Sequence, residues 1–140
     1  MKKINILIVE DDCIQADMLA IIFKNFFSKY KKVNNVQSDI VASNVSLNDC
    51  LSIDFAIDSK EAELKISKSD YFLITLDGVL YGGDHGRNLL RLMNFQQIKK
   101  TMIISGDIEF ITECEKKGMV CIEKPVSAGS LEKSLKIFLS

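Results

Sequence analysis

The sequence predicts an α/β protein in which helices cover both faces of a parallel β-sheet. Short apolar runs recur along the chain, most of them bounded by acids or glycine, as expected of strands buried on both faces. Segments with the 3.6-residue spacing of amphipathic helices lie between these runs. Such alternation favours parallel strands joined by right-handed helical crossovers. The predicted strands are Ile4 to Val9, Phe55 to Ile57, Tyr71 to Leu76, Met102 to Ile104 and Met119 to Ile122.

Helical spacing is clearest in three segments, which follow the first, third and fifth strands. Because their apolar residues recur every three or four positions, each segment is expected to turn one face to the sheet. The marker residues are Leu19, Phe23, Phe26 and Tyr30, then Leu89, Leu90 and Met93, then Leu131, Leu135 and Phe138.

Residues 31–50 interrupt the alternation between the first helix and the second strand. This stretch is much longer than an ordinary connection of about 2–6 residues. Its partial alternation and its asparagines fit a small hairpin or a loop, and the sequence leaves both open. We expect a single domain over residues 1–140, with an insertion at about 31–50.

The composition is that of an ordinary globular protein: 47% apolar residues, 26% charged residues and a net charge of −1. The lysines are dispersed, so direct nucleic-acid binding is not expected. No run approaches the ~18 apolar residues that cross a bilayer, and the opening apolar run ends in acids, unlike a signal peptide. The four cysteines form no C-x-x-C pair, which favours a reducing, cytoplasmic location and no zinc site.

Reactive side chains follow four of the predicted strands, at the edge where ligands bind in such sheets. Carboxylates clustered there would repel one another unless a divalent cation or an ammonium group compensates. The strand-end residues are Glu10, Asp11 and Asp12, then Asp77, then Ser105, then Lys124.

Mg²⁺ suits this set because it prefers oxygen ligands and usually takes one or two protein carboxylates. Asp11 and Asp77 would be those carboxylates. A carboxylate beside Mg²⁺ stays ionised and can attack a phosphoryl group, while the metal and Lys124 neutralise charge on the phosphoryl oxygens. The residues therefore predict that Asp77 becomes an acyl phosphate, with Ser105 donating its hydroxyl hydrogen to a phosphoryl oxygen.

The strings ILIVEDD, LITLD, IISGD and EKP, in this order, resemble the receiver domain of two-component response regulators. The resemblance covers essentially the whole chain apart from the insertion. It implies a doubly wound, five-stranded parallel sheet with the flavodoxin-like strand order 2-1-3-4-5. It also implies that the protein is a signalling protein and not an enzyme. At most, the protein would catalyse its own Mg²⁺-dependent phosphorylation and dephosphorylation.

The resemblance gives each strand-end residue a role. Asp77 matches the phosphoacceptor, Ser105 the switch hydroxyl and Lys124 the lysine of the family. Pro125 matches a proline whose preceding peptide bond is typically cis. The implied metal ligands are Glu10, Asp11, Asp77 and the backbone carbonyl of Val79.

Two positions depart from the family pattern. Tyr81 stands four residues beyond Asp77, where the family usually has proline, in a glycine-rich loop that is expected to be pliable. Cys121 stands three residues before Lys124, where the family usually has an aromatic residue that swings inward on phosphorylation. The usual aromatic relay is therefore not expected to operate.

The implied partners are a sensor histidine kinase or phosphotransfer protein as donor and a downstream protein effector. Phosphorylation would add about −1.5 to −2 charges and bias the fourth helix, fifth strand and fifth helix between two arrangements. We expect a stand-alone receiver domain that is not inserted in a membrane. A homodimer through the same surface is left open by the sequence.

Two other functions fit parts of the sequence. A pseudo-receiver would bind a partner without phosphorylation; Tyr81 and Cys121 favour it, and the intact strand-end set opposes it. The string LDGVLYGG resembles the first motif of haloacid-dehalogenase-like phosphatases, but the nucleophile would fall on Thr75, which cannot form an aspartyl intermediate.

Several residues near these motifs are expected to have ordinary structural roles. Asp12 and Asp84 are predicted as caps or loop residues, because each precedes a helical pattern. His85 is predicted as a solvated loop side chain, and Cys121 as a small core residue.

Overall fold

The computed structural model describes residues 4–34 and 51–140 and contains a five-stranded sheet. Its strands are β1 (Ile4–Val9), β2 (Leu51–Ala56), β3 (Leu73–Leu76), β4 (Thr101–Ser105) and β5 (Cys121–Glu123). All adjacent pairs are parallel, and the order is β2-β1-β3-β4-β5. The predicted fold class and strand order are therefore confirmed.

Helices join the strands, as the alternating pattern predicted. They are α1 (Cys13–Asn34), α2 (Ser59–Lys68), α3 (Gly86–Leu92), α4 (Phe95–Lys99), α5 (Ile108–Lys116) and α6 (Ala128–Leu139), with a short 3₁₀ helix at Tyr81–Gly83. The helical segment predicted around Leu89 is split into α3 and α4. Asn94 begins α4 with a capping box that includes Gln97, and this local chemistry interrupts the helix.

The sheet separates two apolar cores. Helices α1 and α6 cover one face, where Phe23, Phe27 and Leu131 are buried. Helices α2, α3 and α5 cover the other face, where Leu89 and Phe110 are buried. The two-sided burial predicted for the strands holds for the central strands β1, β3 and β4.

Two-sided burial was a wrong expectation for β5, in which only Ile122 is buried, and for β2. Most of its side chains are half-buried or exposed, because β2 lies at the edge of the sheet and pairs only with β1. The strand also begins at Leu51, earlier than its most apolar residues suggest.

Helix α1 continues to Asn34, so the first residues of the expected insertion are helical. The rest of the insertion lies outside the described residues, and its form stays a prediction. Among the helices of residues 4–34 and 51–140, none combines the length and apolar character that crossing a membrane requires.

The parallel arrangement brings the ends of all strands to one edge of the sheet, where β1, β3, β4 and β5 deliver the reactive side chains noted above. At the end of β5 the Lys124–Pro125 peptide bond is cis, as the resemblance implied. The backbone N–H of Lys124 donates to the carbonyl of Ser105 at 2.9 Å, which fixes the lysine beside the end of β4.

Candidate functional site

Three carboxylates meet at the carboxyl edge of the sheet. Glu10, Asp11 and Asp77 each place one carboxylate oxygen within 4.8 Å of the others. Glu10 and Asp77 are buried, with 4% and 6% of their surface exposed, whereas Asp11 is exposed. Because acids this close repel one another, the arrangement favours a bound cation. An all-oxygen set with one open side suits Mg²⁺, which keeps several waters.

The side chain of Lys124 lies between two of these acids. Its Nζ atom is 2.7 Å from Oδ2 of Asp77 and 2.5 Å from Oε1 of Glu10. Burial acts to lower the pKa of Lys124, but the hydrogen bonds and charges of Asp77 and Glu10 outweigh it and raise the pKa. The ammonium group therefore stays charged beside Asp77.

Glu10 shows that one lysine does not fully compensate the acids. Burial raises the pKa of Glu10 to about 7; the hydrogen bond from Lys124 opposes that rise and the charge of Asp77 adds to it. Lys124 has two acidic partners, whereas Glu10 and Asp77 share one cation. The Glu10–Lys124 contact therefore stabilises the charged form of the lysine more than the charged form of the glutamate. The pKa of Glu10 in the folded state lies above its ordinary value of 4.5. The contribution of Glu10 to stability is therefore full below about pH 4.5 and is lost as the pH rises to about 7.

Ser105 is completely buried at the end of β4. Its Oγ atom accepts hydrogen bonds from the backbone N–H of Gly78 at 3.2 Å and of Asp107 at 3.0 Å. A serine hydroxyl has two lone pairs and one hydrogen. Both lone pairs are thus engaged by backbone donors, and the hydrogen remains available for an acceptor at the edge of the sheet.

The loop after Asp77 is closed on itself. The N–H of Gly86 donates to the carbonyl of Gly78 at 2.8 Å, and Val79 pairs with His85 in an isolated antiparallel bridge. A Cβ atom at Gly86 would lie 2.4 Å from the backbone oxygen of Asp77, so only glycine allows this closure. The loop therefore fixes the backbone on which Asp77 is carried.

Tyr81 has a backbone role that proline cannot fill. Its N–H donates to the carbonyl of Ile57 at 3.1 Å, which ties the loop to the end of β2. Proline has no N–H and would lose this bond. A proline at position 81 would therefore remove this anchor of the loop.

The structure brings the predicted site residues to one place. Asp11, Asp77, Glu10 and Lys124 share the cluster described above. Ser105 adjoins it through Gly78, the residue after Asp77, and the N–H of Val79 donates to Oδ1 of Asp77 at 3.3 Å. Their chemical roles, including that of the Val79 carbonyl, stay predictions.

Asp12 and Asp84 both accept hydrogen bonds from backbone N–H groups in the first turn of a helix. Oδ1 of Asp12 accepts from the N–H groups of Ile14 at 2.9 Å and Gln15 at 3.2 Å, at the start of α1. Asp84 acts across elements: Oδ2 accepts from the N–H of Ser59, the first residue of α2, at 2.7 Å. The interpretation of Asp12 as a cap is confirmed, whereas Asp84 is a loop residue that binds the start of α2 and does not cap α3, the helix that it precedes.

Cys121 packs partly buried against the core beside α5. Burial raises the pKa of the Cys121 thiol to about 12, so the reactive thiolate is scarce at neutral pH. The contacts agree with the expected role as a small core residue.

His85 is not the solvated loop side chain that was expected. Only 24% of its side chain is exposed, and Nε2 lies 2.9 Å from Oδ2 of Asp107. The sequence interpretation missed Asp107 as a partner. Its place directly before α5 indicates a helix cap, but the contact with His85, 22 residues away, has no local signal.

Thr75, the nucleophile required by the phosphatase alternative, lies inside β3. It is 1% exposed, and its hydroxyl contacts no hydrogen-bonding partner within the described ranges. A substrate at the carboxyl edge would not reach it without opening the sheet.

No protein-family model matches the chain, and no curated protein matches it. Among solved structures, a presumed response regulator from Chloroflexus aurantiacus is 20% identical, with a TM-score of 0.70 over 99% of this chain and 98% of that one. The receiver domain of a DNA-binding response regulator from Colwellia psychrerythraea is also 20% identical, with a TM-score of 0.69 over 98% of each chain.

A third similar structure is the receiver domain of a sensor histidine kinase from Pseudomonas aeruginosa, which has a magnesium ion coordinated in its active-site cleft. It is 15% identical, with a TM-score of 0.66 over 98% of each chain. Together with the strand order, these likenesses show that this chain has the fold of response-regulator receiver domains.

Proposed function

We propose that the protein is a phosphoacceptor receiver domain in which Asp77 accepts a phosphoryl group. The observation that supports this best is the convergence of two further acids and one ammonium group on Asp77. Together with Asp77, these groups come from the ends of three different strands. A purely structural ion pair needs one partner, not two acids and a lysine in one pocket. The set contains the parts that phosphoryl transfer requires, namely a nucleophile, a metal site and a fixed cation.

In the proposed reaction, a carboxylate oxygen of Asp77 attacks phosphorus, and the bond from phosphorus to the donor breaks. Mg²⁺, held by Glu10, Asp11, Asp77 and the Val79 carbonyl, would neutralise charge on the phosphoryl oxygens. Lys124 exchanges its contact with Asp77 for one with a phosphoryl oxygen, and the free hydroxyl hydrogen of Ser105 turns to another. Hydrolysis of the acyl phosphate resets the domain, so the only catalysis is of its own modification.

The proposed donor is a histidine kinase or phosphotransfer protein in the cytoplasm, and the readout is a protein effector. The surface that changes is formed by α5, β5 and α6, which correspond to the fourth helix, fifth strand and fifth helix expected from the sequence. Ser105 precedes α5 and Lys124 precedes α6, so movement of either residue pulls directly on that surface. A homodimer through the same surface would be one form of readout.

The test is incubation with phosphoramidate and Mg²⁺, followed by intact-mass measurement. Wild type should gain the mass of one phosphoryl group, and Asp77→Asn should gain none. Asp70→Asn is a matched control, because Asp70 lies at the opposite edge of the sheet and is 93% exposed. A wild type that stays unmodified would contradict the proposal and favour a pseudo-receiver.

The phosphatase alternative has its own test. Because Thr75 is buried, we expect no multiple turnover of a generic phosphomonoester. Turnover that is abolished by Thr75→Ala would establish the phosphatase in place of the receiver.

A further inference from the structure

His85 connects the two loops that border Asp77. It belongs to the loop after β3, and its Nε2 atom lies 2.9 Å from Oδ2 of Asp107, in the loop after β4. The same two loops are also joined through Ser105, whose Oγ accepts from Gly78 and Asp107. Asp107 therefore takes part in both links, one through its backbone and one through its carboxylate.

The hydrogen bonds fix the form of the His85 ring. Its Nδ1 atom accepts from the backbone N–H of Arg87 at 3.1 Å, at the start of α3. An accepting Nδ1 carries no hydrogen, so in the neutral ring the hydrogen is on Nε2. His85 thus donates to Asp107 with one nitrogen and caps α3 with the other.

The backbone of Gly78 is packed tightly under this link. A Cβ atom at Gly78 would lie 2.9 Å from Phe110, 3.0 Å from Ser105 Oγ and 3.3 Å from His85 Nε2. The ring of Phe110 meets the His85 ring edge-on, with 4.9 Å between centroids. Gly78 is therefore enclosed by side chains from both regions that His85 connects: His85 from the loop after β3, and Ser105 and Phe110 from the end of β4 and from α5.

We infer that His85 is a positioning residue for phosphoryl transfer to Asp77, acting through Asp107. The link holds the loop after Asp77 against the loop after Ser105, so that the N–H of Gly78 and the hydroxyl of Ser105 stay in place beside the acceptor. Misplacement of such groups by a fraction of an ångström to 1 Å slows a reaction strongly. The inference rests on the proposed function and adds a residue to its machinery.

Two substitutions separate the two bonds of His85. Asparagine places an oxygen where Nδ1 lies, so His85→Asn keeps the cap on Arg87 but does not reach Asp107. Glutamine places an N–H donor where Nε2 lies, so His85→Gln reaches Asp107 but loses the cap. From the other side, Asp107→Ser keeps a good N-cap for α5 but is too short to meet His85.

The measurement is the rate of phosphorylation by saturating phosphoramidate with Mg²⁺, with thermal melting to confirm folding. His85→Asn and Asp107→Ser should each lower the rate by about 10-fold or more, and His85→Gln should stay within about 3-fold of wild type. The Mg²⁺ concentration for half-maximal rate should not change, because the His85 side chain contacts none of the three acids. Combining His85→Asn with Asp107→Ser should slow the reaction no further than either alone.

A different pattern would overturn the inference. If His85→Gln is the slow variant, or if both His85 variants are equally slow, the cap or the ring matters and the link does not. If all variants match wild type, the link has no role in transfer. These outcomes are distinct from failure of the proposed function, in which wild type itself takes up no phosphate. Asp107→Ser supplies the same decision if His85→Asn does not fold.

Discussion

Two lysine–aspartate pairs lie at opposite edges of the same sheet. Their nitrogen–oxygen distances are similar, but their burial differs. At the carboxyl edge, Lys124 Nζ is 2.7 Å from Asp77, and the side chains are 18% and 8% exposed. At the amino edge, Lys100 Nζ is 2.9 Å from Asp70, and the side chains are 38% and 93% exposed. Water screens the second pair, whereas the first is largely removed from water.

The difference shows that distance alone does not identify a functional charge. Lys100 and Asp70 form an ion pair, and both side chains are also in contact with solvent. Lys124 faces two buried acids, with Asp11 close by, so negative charge exceeds positive charge within the pocket. Surplus negative charge held out of water is a costly arrangement that a bound cation can relieve.

The sharpest contrast is expected from removing each lysine in turn. Lys124→Met leaves the buried acids without their cation, which should cost about 3–5 kcal/mol of unfolding free energy in Mg²⁺-free buffer. It should also lower the phosphorylation rate by about 100-fold or more, because a fixed charge at the reacting oxygens is lost. Lys100→Met should change neither quantity measurably. Urea unfolding and phosphoramidate kinetics measure both, and equal effects of the two variants would erase the distinction between the edges.

Two glycines near Asp77 differ in how much space their surroundings leave for a side chain. Gly86→Ala should cost at least about 1–3 kcal/mol, since its Cβ would lie 2.4 Å from the backbone oxygen of Asp77. At Gly106, after β4, a Cβ would have no atom of the described residues within 4 Å, so Gly106→Ala should be nearly neutral for stability. Chemical denaturation of both variants checks this, and a neutral Gly86→Ala would mean that the loop is less tightly closed than its hydrogen bonds indicate.

Metal binding should separate two neighbouring acids. Mg²⁺ at about ten times its dissociation constant should stabilise wild type by about 1.4 kcal/mol, because only the folded state assembles the site. Asp11→Asn should lose most of this gain, whereas Asp12→Asn should retain it, since Asp12 caps α1 and lies outside the cluster. Thermal melting with and without Mg²⁺ measures the gain. Its loss in both variants would point to general electrostatics in place of a defined site.

Asp84 offers the smallest effect, about 1 kcal/mol for Asp84→Ala, typical of a lost helix cap. Burial acts to raise the pKa of Asp84, but hydrogen bonds from Asn88 and Ser59 outweigh it and lower the pKa to about 2. Its contribution is therefore full above its ordinary pKa of 3.8 and is lost as the pH falls through about 2. The stability difference between wild type and Asp84→Ala should shrink over this range, and a difference independent of pH would contradict the assignment.

The sequence predicted the fold because its strands are short apolar runs that end in chemically distinctive residues. It predicted which side chains would meet at the carboxyl edge, because parallel strands all end there. It did not predict the break between α3 and α4, since Asn94 and Gln97 act locally while the apolar spacing continues past them. The edge position of β2 also weakened its apolar signal.

Long-range polar contacts could not be predicted from the sequence, for a different reason. His85 and Asp84 are adjacent residues in one glycine-rich loop, yet one reaches Asp107 and the other Ser59. Periodicity reports which face of an element is apolar, but it does not report which polar side chains meet across elements. Such pairs emerge only when the loops are placed together.

The central claim is that phosphorus is accepted by one particular aspartate, and chemical trapping tests it most directly. Borohydride reduces an acyl phosphate of aspartate to homoserine, and trypsin releases residues 69–87 as one peptide that contains Asp70, Asp77 and Asp84. After treatment with phosphoramidate and Mg²⁺, fragment masses should place homoserine at position 77 alone. Homoserine at position 70 or 84, or a modified acid elsewhere in the chain, would contradict the account.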